Sequence, residues 1–129
     1  MKTNAKESMP LSGEEIVVRY FKCMDSRDLD GMLDLFDYDA VVYEPFSKVE
    51  GLHGKSAIEP FLKVALMANS ELQRKIKIEK IKNPNNNNSI VALITFEKGK
   101  QIKGRFTFEF THDEDSKEKK IKSLHIEFL

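Results

Sequence analysis

The stretch from Gln101 to Thr111 constrains the fold more than any other. Ile102, Phe106, Phe108 and Phe110 alternate there with Lys103, Arg105, Thr107 and Glu109. A period of two sends successive side chains to opposite faces of an extended chain, so this is a strand with one apolar and one wetted face. A lone strand is not stable, because its apolar face needs cover and its backbone needs neighbours. The flanking sequence supplies the neighbours. Lys98-Gly99-Lys100 reads as a short hairpin turn, and before it Ser89 to Glu97 places Ile90, Ala92, Ile94 and Phe96 on one face. After a charged loop from His112 to Lys119, Lys120 to Leu129 places Leu124, Ile126 and Phe128 on one side and Ser123, His125 and Glu127 on the other. Upstream, Glu71 to Lys82 sets Leu72, Ile76 and Ile78 against lysines, and Asn83-Pro84 with four asparagines, 85–88, makes the turn that follows.

The first half of the chain supplies the cover. Ser12 stands as a helix N-cap, Glu14 and Glu15 fall in the first turn, and Glu15 three residues on completes a capping box. Ile16, Val17, Tyr20, Phe21 and Met24 then recur at helical spacing, and the helix is expected to end near Asp25 to Arg27. Asp28 caps a short second helix with Leu29, Met32, Leu33 and Phe36 on one face. Asp37-Tyr38-Asp39 reads as a turn into the strand Ala40-Val41-Val42-Tyr43-Glu44, which Pro45 closes. Phe46 to Gly54 reads as a loop, and a third helix covers about Lys55 to Asn69, with Pro60 in its first turns. The order α-α-β-α-β-β-β-β predicts an α+β fold, three helices packed on a curved antiparallel sheet around a cone-shaped cavity.

On alternation Glu44 shares the inward side with Ala40 and Val42, which leaves two readings: a paired structural charge, or the working group of a pocket. Tyr43 is expected to face the other way. The inward residues expected around such a pocket are Met24, Phe36, Val42, Phe46, Phe61, Ile94, Phe96, Phe106, Phe108, Leu124, Ile126 and Phe128. Their composition, rich in phenylalanine and poor in polar groups, fits a small apolar molecule.

Composition excludes several classes of function. With 129 residues the chain is expected to form one domain over 12–129 behind a disordered leader, 1–11. Lys+Arg and Asp+Glu are 21 each, so no global charge points to nucleic acid or to an acidic membrane. Lysines 75, 77, 80, 82 and 117–122 are not interleaved with exposed aromatics and read as a solvated sheet edge. One cysteine, Cys23, excludes an internal disulfide and a cysteine-based zinc site, and it reads as a packed thiol. The three histidines, His53, His112 and His125, have no metal-ligand spacing. His53 lies where a loop could close a cavity mouth, and His125 on the outer sheet face. Met1 to Pro10 has no apolar core of a secretory signal, so a cytoplasmic protein is the default expectation.

Val17-Val18-Arg19-Tyr20, Asp28-Leu29-Asp30-Gly31, Leu35-Phe36, Asp39-Ala40, Glu44-Pro45 and Ala57-Ile58 together resemble the nuclear transport factor 2-like superfamily of cone-shaped α+β barrels, in its SnoaL-like and steroid delta-isomerase branches. The likeness is closest from about Ile16 to Leu66 and rests beyond that on strand order. It implies a cofactor-free pocket, with no metal or organic cofactor, and a homodimer through the outer sheet face. In the isomerases the catalytic base is an aspartate directly before the strand-ending proline, the position of Glu44 here. Their oxyanion-binding tyrosine follows the arginine of the first helix, the position of Tyr20, at the same spacing. A carboxylate in an apolar pocket becomes a better base, and a neutral tyrosine can donate to a developing enolate. The second oxyanion donor of the isomerases, a protonated aspartate, aligns with Phe106. Losing such a donor costs about 3–4 kcal/mol of transition-state stabilisation. The resemblance therefore supports a proton-transfer isomerase or related lyase using Glu44 and Tyr20, and beside it a non-catalytic ligand-binding or dimerisation module. A protein-interaction domain of the nuclear transport type is a third reading.

Overall fold

The computed structural model of the protein describes residues 11–45, 50–72, 75–82, 89–98, 100–111 and 118–129. The expected leader up to Pro10, Phe46, the asparagine turn 83–88, Gly99 and the charged loop 112–117 with His112 lie outside the described residues. Two helices open the chain, α1 (Gly13–Ser26) and α2 (Leu29–Asp34). Strand β1 (Phe36–Tyr43), the two-residue β2 (Leu52–His53) and helix α3 (Lys55–Leu72) follow. The chain ends in β3 (Lys75–Lys82), β4 (Ser89–Lys98), β5 (Lys100–Phe110) and β6 (Ile121–Phe128).

The first helix starts as its sequence dictates. The Glu15 N–H donates to the Ser12 hydroxyl at 3.1 Å and the Ser12 N–H donates back to the Glu15 carboxylate at 2.8 Å. It stops at Arg27, whose φ of 60° and ψ of 42° are left-handed, with the Asp28 N–H returning to the Cys23 carbonyl at 2.8 Å. Asp28 caps α2 by accepting from the Gly31 N–H at 2.9 Å. Cys23 is buried, its Sγ 4.0 Å from the Asp28 carboxylate. Burial and the adjacent Asp28 charge both push the thiol pKa up, as befits an unreactive packed group.

The six strands form one sheet in the order β2-β1-β6-β5-β4-β3. It is mixed rather than antiparallel throughout, because β1 and β6 run parallel, Val41 against Ser123 and Val42 against Leu124. The pair is far apart in the chain, and the Ile121 N–H donates to the Leu35 carbonyl at 2.8 Å, which fixes the start of β6 at the end of α2. Phe36 belongs to β1 rather than to the second helix, pairing with Ile121. Asp37-Tyr38-Asp39 is likewise inside β1 rather than a turn. The polarity of these residues marks a register shift in the β1–β6 pairing between Phe36 and Val41, where Tyr38 is 78% exposed. Leu52 and His53, expected in a loop, pair with Val42 and Val41. A Cβ on Gly51 would lie 2.6 Å from Val41 Cγ1, and Gly54 has a φ of 86°, so glycines allow the close approach and the turn into α3. Glu71 and Leu72 end α3 rather than opening β3, so that strand starts later than its sequence suggests.

Two bulges keep the apolar residues on one face. In β3, one extra residue between Ile78 and Lys80 accompanies a change in isoleucine spacing from Ile76-Ile78 to Ile81, so that Ile81 still registers with Ala92. In β6, one between Ile121 and Ser123 lets Ile121 be buried alongside Leu124 and Ile126. A residue that breaks alternation is accommodated by a local kink. Helix α1 lies against β3 and β4, and α3 against β1 and β2. The core sits between these helices and the inner sheet face, and no helix among the described residues is long and apolar enough to cross a membrane.

Candidate functional site

Tyr20 reaches the centre of this core because it falls on the apolar stripe of α1 with Ile16, Val17, Phe21 and Met24. Its side chain is fully buried. Three rings meet it edge-on: Phe21 at 5.0 Å between centroids, Phe108 at 5.4 Å and Phe36 at 6.1 Å. Such edge-to-face contacts set the positive ring rim against a π face. The Tyr20 hydroxyl makes no hydrogen bond among the described residues, and burial pushes its pKa well above the usual phenol range. It is therefore a neutral O–H donor in an apolar nest. Leaving such a group unsatisfied costs about 1–3 kcal/mol. Among the described residues, Thr95 in β4 also has a buried hydroxyl without a partner.

Glu44 follows the last residue of β1 and is half-buried. It keeps the alternation of Ala40 and Val42, both of which are buried. Tyr43 faces the opposite way, 40% exposed, with its ring 5.5 Å from that of His125 on β6. Glu44 is thus a half-buried residue just past the end of β1, while the Tyr20 side chain lies inside the core.

Most of the residues expected around a pocket join one apolar cluster. Met24, Phe36, Val42, Ile94, Phe96, Phe106, Phe108, Leu124 and Ile126 are all buried in it, and Phe61 packs against it partly exposed. Phe128 is a correction. It has the expected alternation but ends β6 opposite Gly104 and is 48% exposed, because strand and cover both run out there. Phe46 lies outside the described residues. Phe106 sits among apolar rings, 5.2 Å from Phe21, 6.2 Å from Phe96 and 6.4 Å from Phe108. No oxygen or nitrogen on that side chain can add to the Tyr20 donor.

A cleft of about 150 Å³ lies beside this cluster, between α1 and β3. Val18, Phe21, Lys22, Asp25, Ile76 and Ile78 line it, none of them among the pocket residues expected from the sequence. Helical spacing alone could have drawn attention to Val18, Lys22 and Asp25, which sit on one side of α1. That β3 would lie across from them is a matter of tertiary packing.

The remaining titratable candidates lie on the surface. His53 is exposed on β2 and His125 on the outer face of β6. That outer face is polar and cross-linked: Arg105 Nη1 donates to Glu127 Oε1 at 2.9 Å, and the Ser123 hydroxyl to Glu109 Oε1 at 2.9 Å. Among the described residues, no three His, Cys, Asp or Glu side chains cluster so as to hold a metal ion.

Comparison with known proteins agrees with this architecture. No curated protein sequence matches the chain. Among solved structures it is similar to a steroid delta-isomerase from Pseudomonas aeruginosa, at 18% identity and a TM-score of 0.71, covering 95% of this chain and 84% of that one. It is similar to a Mycobacterium tuberculosis protein crystallised in complex with estradiol-17beta-hemisuccinate, at 19% identity and a TM-score of 0.66, covering 85% and 88%. An NTF2-like protein of unknown function from Cytophaga hutchinsonii aligns over 100% of this chain and 95% of its own, at 14% identity and a TM-score of 0.67. At these identities the likeness is one of fold. The family model described as a SnoaL-like domain matches residues 17–119, from the first helix through the fifth strand, and the chain belongs to the SnoaL-like domain family.

Proposed function

We propose that this protein binds a small apolar molecule carrying one acceptor oxygen, that Tyr20 donates its hydrogen bond to that oxygen, and that Glu44 moves a proton on the bound molecule. The observation that carries this reading is the Tyr20 hydroxyl, buried without a partner among the described residues on a ring that packs edge-on against Phe21, Phe36 and Phe108. A core tyrosine kept only for packing gains nothing from its oxygen, and phenylalanine would serve better. The half-buried position of Glu44, on the inward alternation of β1, suits a base that reaches the edge of the same interior. The chemistry is an isomerase or lyase proton transfer that needs no cofactor. A steroid delta-isomerase and a protein in complex with an estradiol ester are among the similar structures, so ketosteroids are the first ligands to test.

A second reading, ligand binding without turnover, is favoured by one specific observation. Phe106 is buried among rings where the isomerases place a second donor, so an enolate would be held by Tyr20 alone. One assay separates the two. A β,γ-unsaturated ketosteroid is incubated with the protein, and the absorbance of the conjugated enone is followed alongside equilibrium binding. Proton transfer predicts enone formation that falls by about 10²–10⁴ in Glu44→Gln with binding retained. Binding alone predicts saturable, Tyr20-dependent affinity with no enone. If Tyr20→Phe binds as well as the parent, both readings fail.

We also read the outer sheet face as a homodimer surface, with Tyr43 and His125 as its aromatic patch. Light scattering at twice the chain mass that returns to the chain mass in Tyr43→Lys would support this. A monomer at all concentrations would exclude it.

A further inference from the structure

The edge of the sheet at β3 is built differently from the rest of the molecule. Among the described residues β3 pairs with β4 on one side and with no strand on the other. Four of its eight residues are lysine, in a chain whose lysines and arginines balance its acids overall. Lys75, Lys77, Lys80 and Lys82 register opposite Glu97, Thr95, Leu93 and Val91, whereas Ile76 and Ile78 register opposite the buried Phe96 and Ile94. The bulge after Ile78 is what keeps all four lysines in the same set of positions. Between Lys75 and Ile78 the strand is regular, and there the half-buried Ile76 and Ile78 open onto the cleft shared with Val18 and Phe21 of α1.

We propose that this edge takes an extended acidic peptide, of alternating acidic and apolar residues, added beside Lys75 to Ile78 as a further strand. Three features converge on that partner. The unpaired backbone edge supplies the hydrogen bonds that give strand addition its affinity. The cleft of about 150 Å³ receives the apolar side chains that such a strand turns inward. Lys75 and Lys77 stand two residues apart, roughly 7 Å along the strand, which is the repeat of the acidic positions on a facing strand, so alternating glutamates fall in register with these two lysines. Single-stranded nucleic acid fits less well, because no exposed aromatic interleaves the lysines to stack a base.

The test uses the full chain and a fluorescein-labelled, end-capped octapeptide alternating valine and glutamate, with a valine–lysine octapeptide as control. Anisotropy is expected to show saturable binding of the glutamate peptide alone, weakened by added salt. Lys77→Glu is expected to weaken it about tenfold, since one favourable cross-strand pair becomes a repulsive one. Val18→Asp, at a position already 39% exposed, is expected to abolish it while leaving the circular dichroism spectrum unchanged. Amide exchange of residues 75–78 should slow when the glutamate peptide is added, a readout that needs no variant to fold. Equal binding of the two peptides, or unchanged exchange at 75–78, would mean that the lysines merely keep the edge unpaired, and would overturn the proposal. Slowed exchange at 75–78 through self-association without peptide would overturn it too, by giving the edge to a second copy.

Discussion

The two faces of the sheet handle most of their polar groups in opposite ways. On the outer face exposed groups pair, Arg105 with Glu127 and Ser123 with Glu109. Thr95 is the exception there: it registers with Lys103, and its buried hydroxyl has no partner among the described residues. On the inner side the Tyr20 hydroxyl of α1 is buried and makes no hydrogen bond among the described residues. The outer pairs exchange water contacts for protein contacts at little net gain, typically under about 1 kcal/mol each. The inner hydroxyl has given up water without a partner among the described residues, at a cost of about 1–3 kcal/mol. The exposed outer pairs thus contribute little to folding, while the buried Tyr20 hydroxyl carries a cost that we propose is offset when a ligand accepts its hydrogen bond. A fold optimised for stability alone would not retain that arrangement, whereas a binding site carries such costs routinely.

Four measurements can break or sharpen this contrast. The largest effect is expected from Phe108→Ala, which deletes a fully buried ring from the centre of the inner face and should cost about 3–5 kcal/mol in denaturant unfolding. A cost below about 1 kcal/mol would mean that the inner face is loosely filled. Next, Tyr20→Phe should stabilise the protein by about 1 kcal/mol while removing ligand affinity, because it deletes an unsatisfied buried hydroxyl and keeps the ring contacts. Destabilisation by this variant would show that the hydroxyl has a protein partner after all. The third measurement is the pH profile of stability. Burial raises the folded-state pKa of Tyr20, so its neutral form is favoured by folding. That contribution is fully present below the unfolded phenol pKa of about 10 and is lost progressively as pH rises above it, since only the unfolded chain then releases the proton. Tyr20→Phe should flatten this alkaline limb, and an unchanged limb would assign it to other groups. The smallest effect is the coupling of Arg105 with Glu127, expected from a double-mutant cycle to be about 0.2–1 kcal/mol and to fade in high salt. A larger, salt-resistant coupling would make the outer face more than a solvated surface.

The inner and outer faces differ as much in how readable they were. Alternation along β5 assigned Phe106, Phe108 and Phe110 to one side and Lys103, Arg105 and Glu109 to the other, as folded. The capping box at Ser12 and the cap at Asp28 were equally plain, because a cap is satisfied by residues three apart in the chain. Tyr20 was legible as a buried helix residue, but nothing in its spacing said that its oxygen would lack a partner. Where polar residues interrupted alternation, as at Asp37-Tyr38-Asp39, local reading gave a turn where the chain continues as a strand. Phe128 continued the pattern past the point where anything remained to cover it.

By itself the sequence determined what repeats with a short period: helices at 3.6 residues, strands at two, the caps that start them and the glycines between them. These are local properties, set by backbone geometry and by which side chains avoid water. Tertiary structure alone decided that β1 lies parallel to β6, that two bulges restore the apolar face after an out-of-phase residue, and that β2 exists at all. It also decided that Val18 and Phe21 form a cleft with Ile76 and Ile78, and that three rings pack edge-on against that of Tyr20. Each of these depends on residues distant in the chain meeting in space.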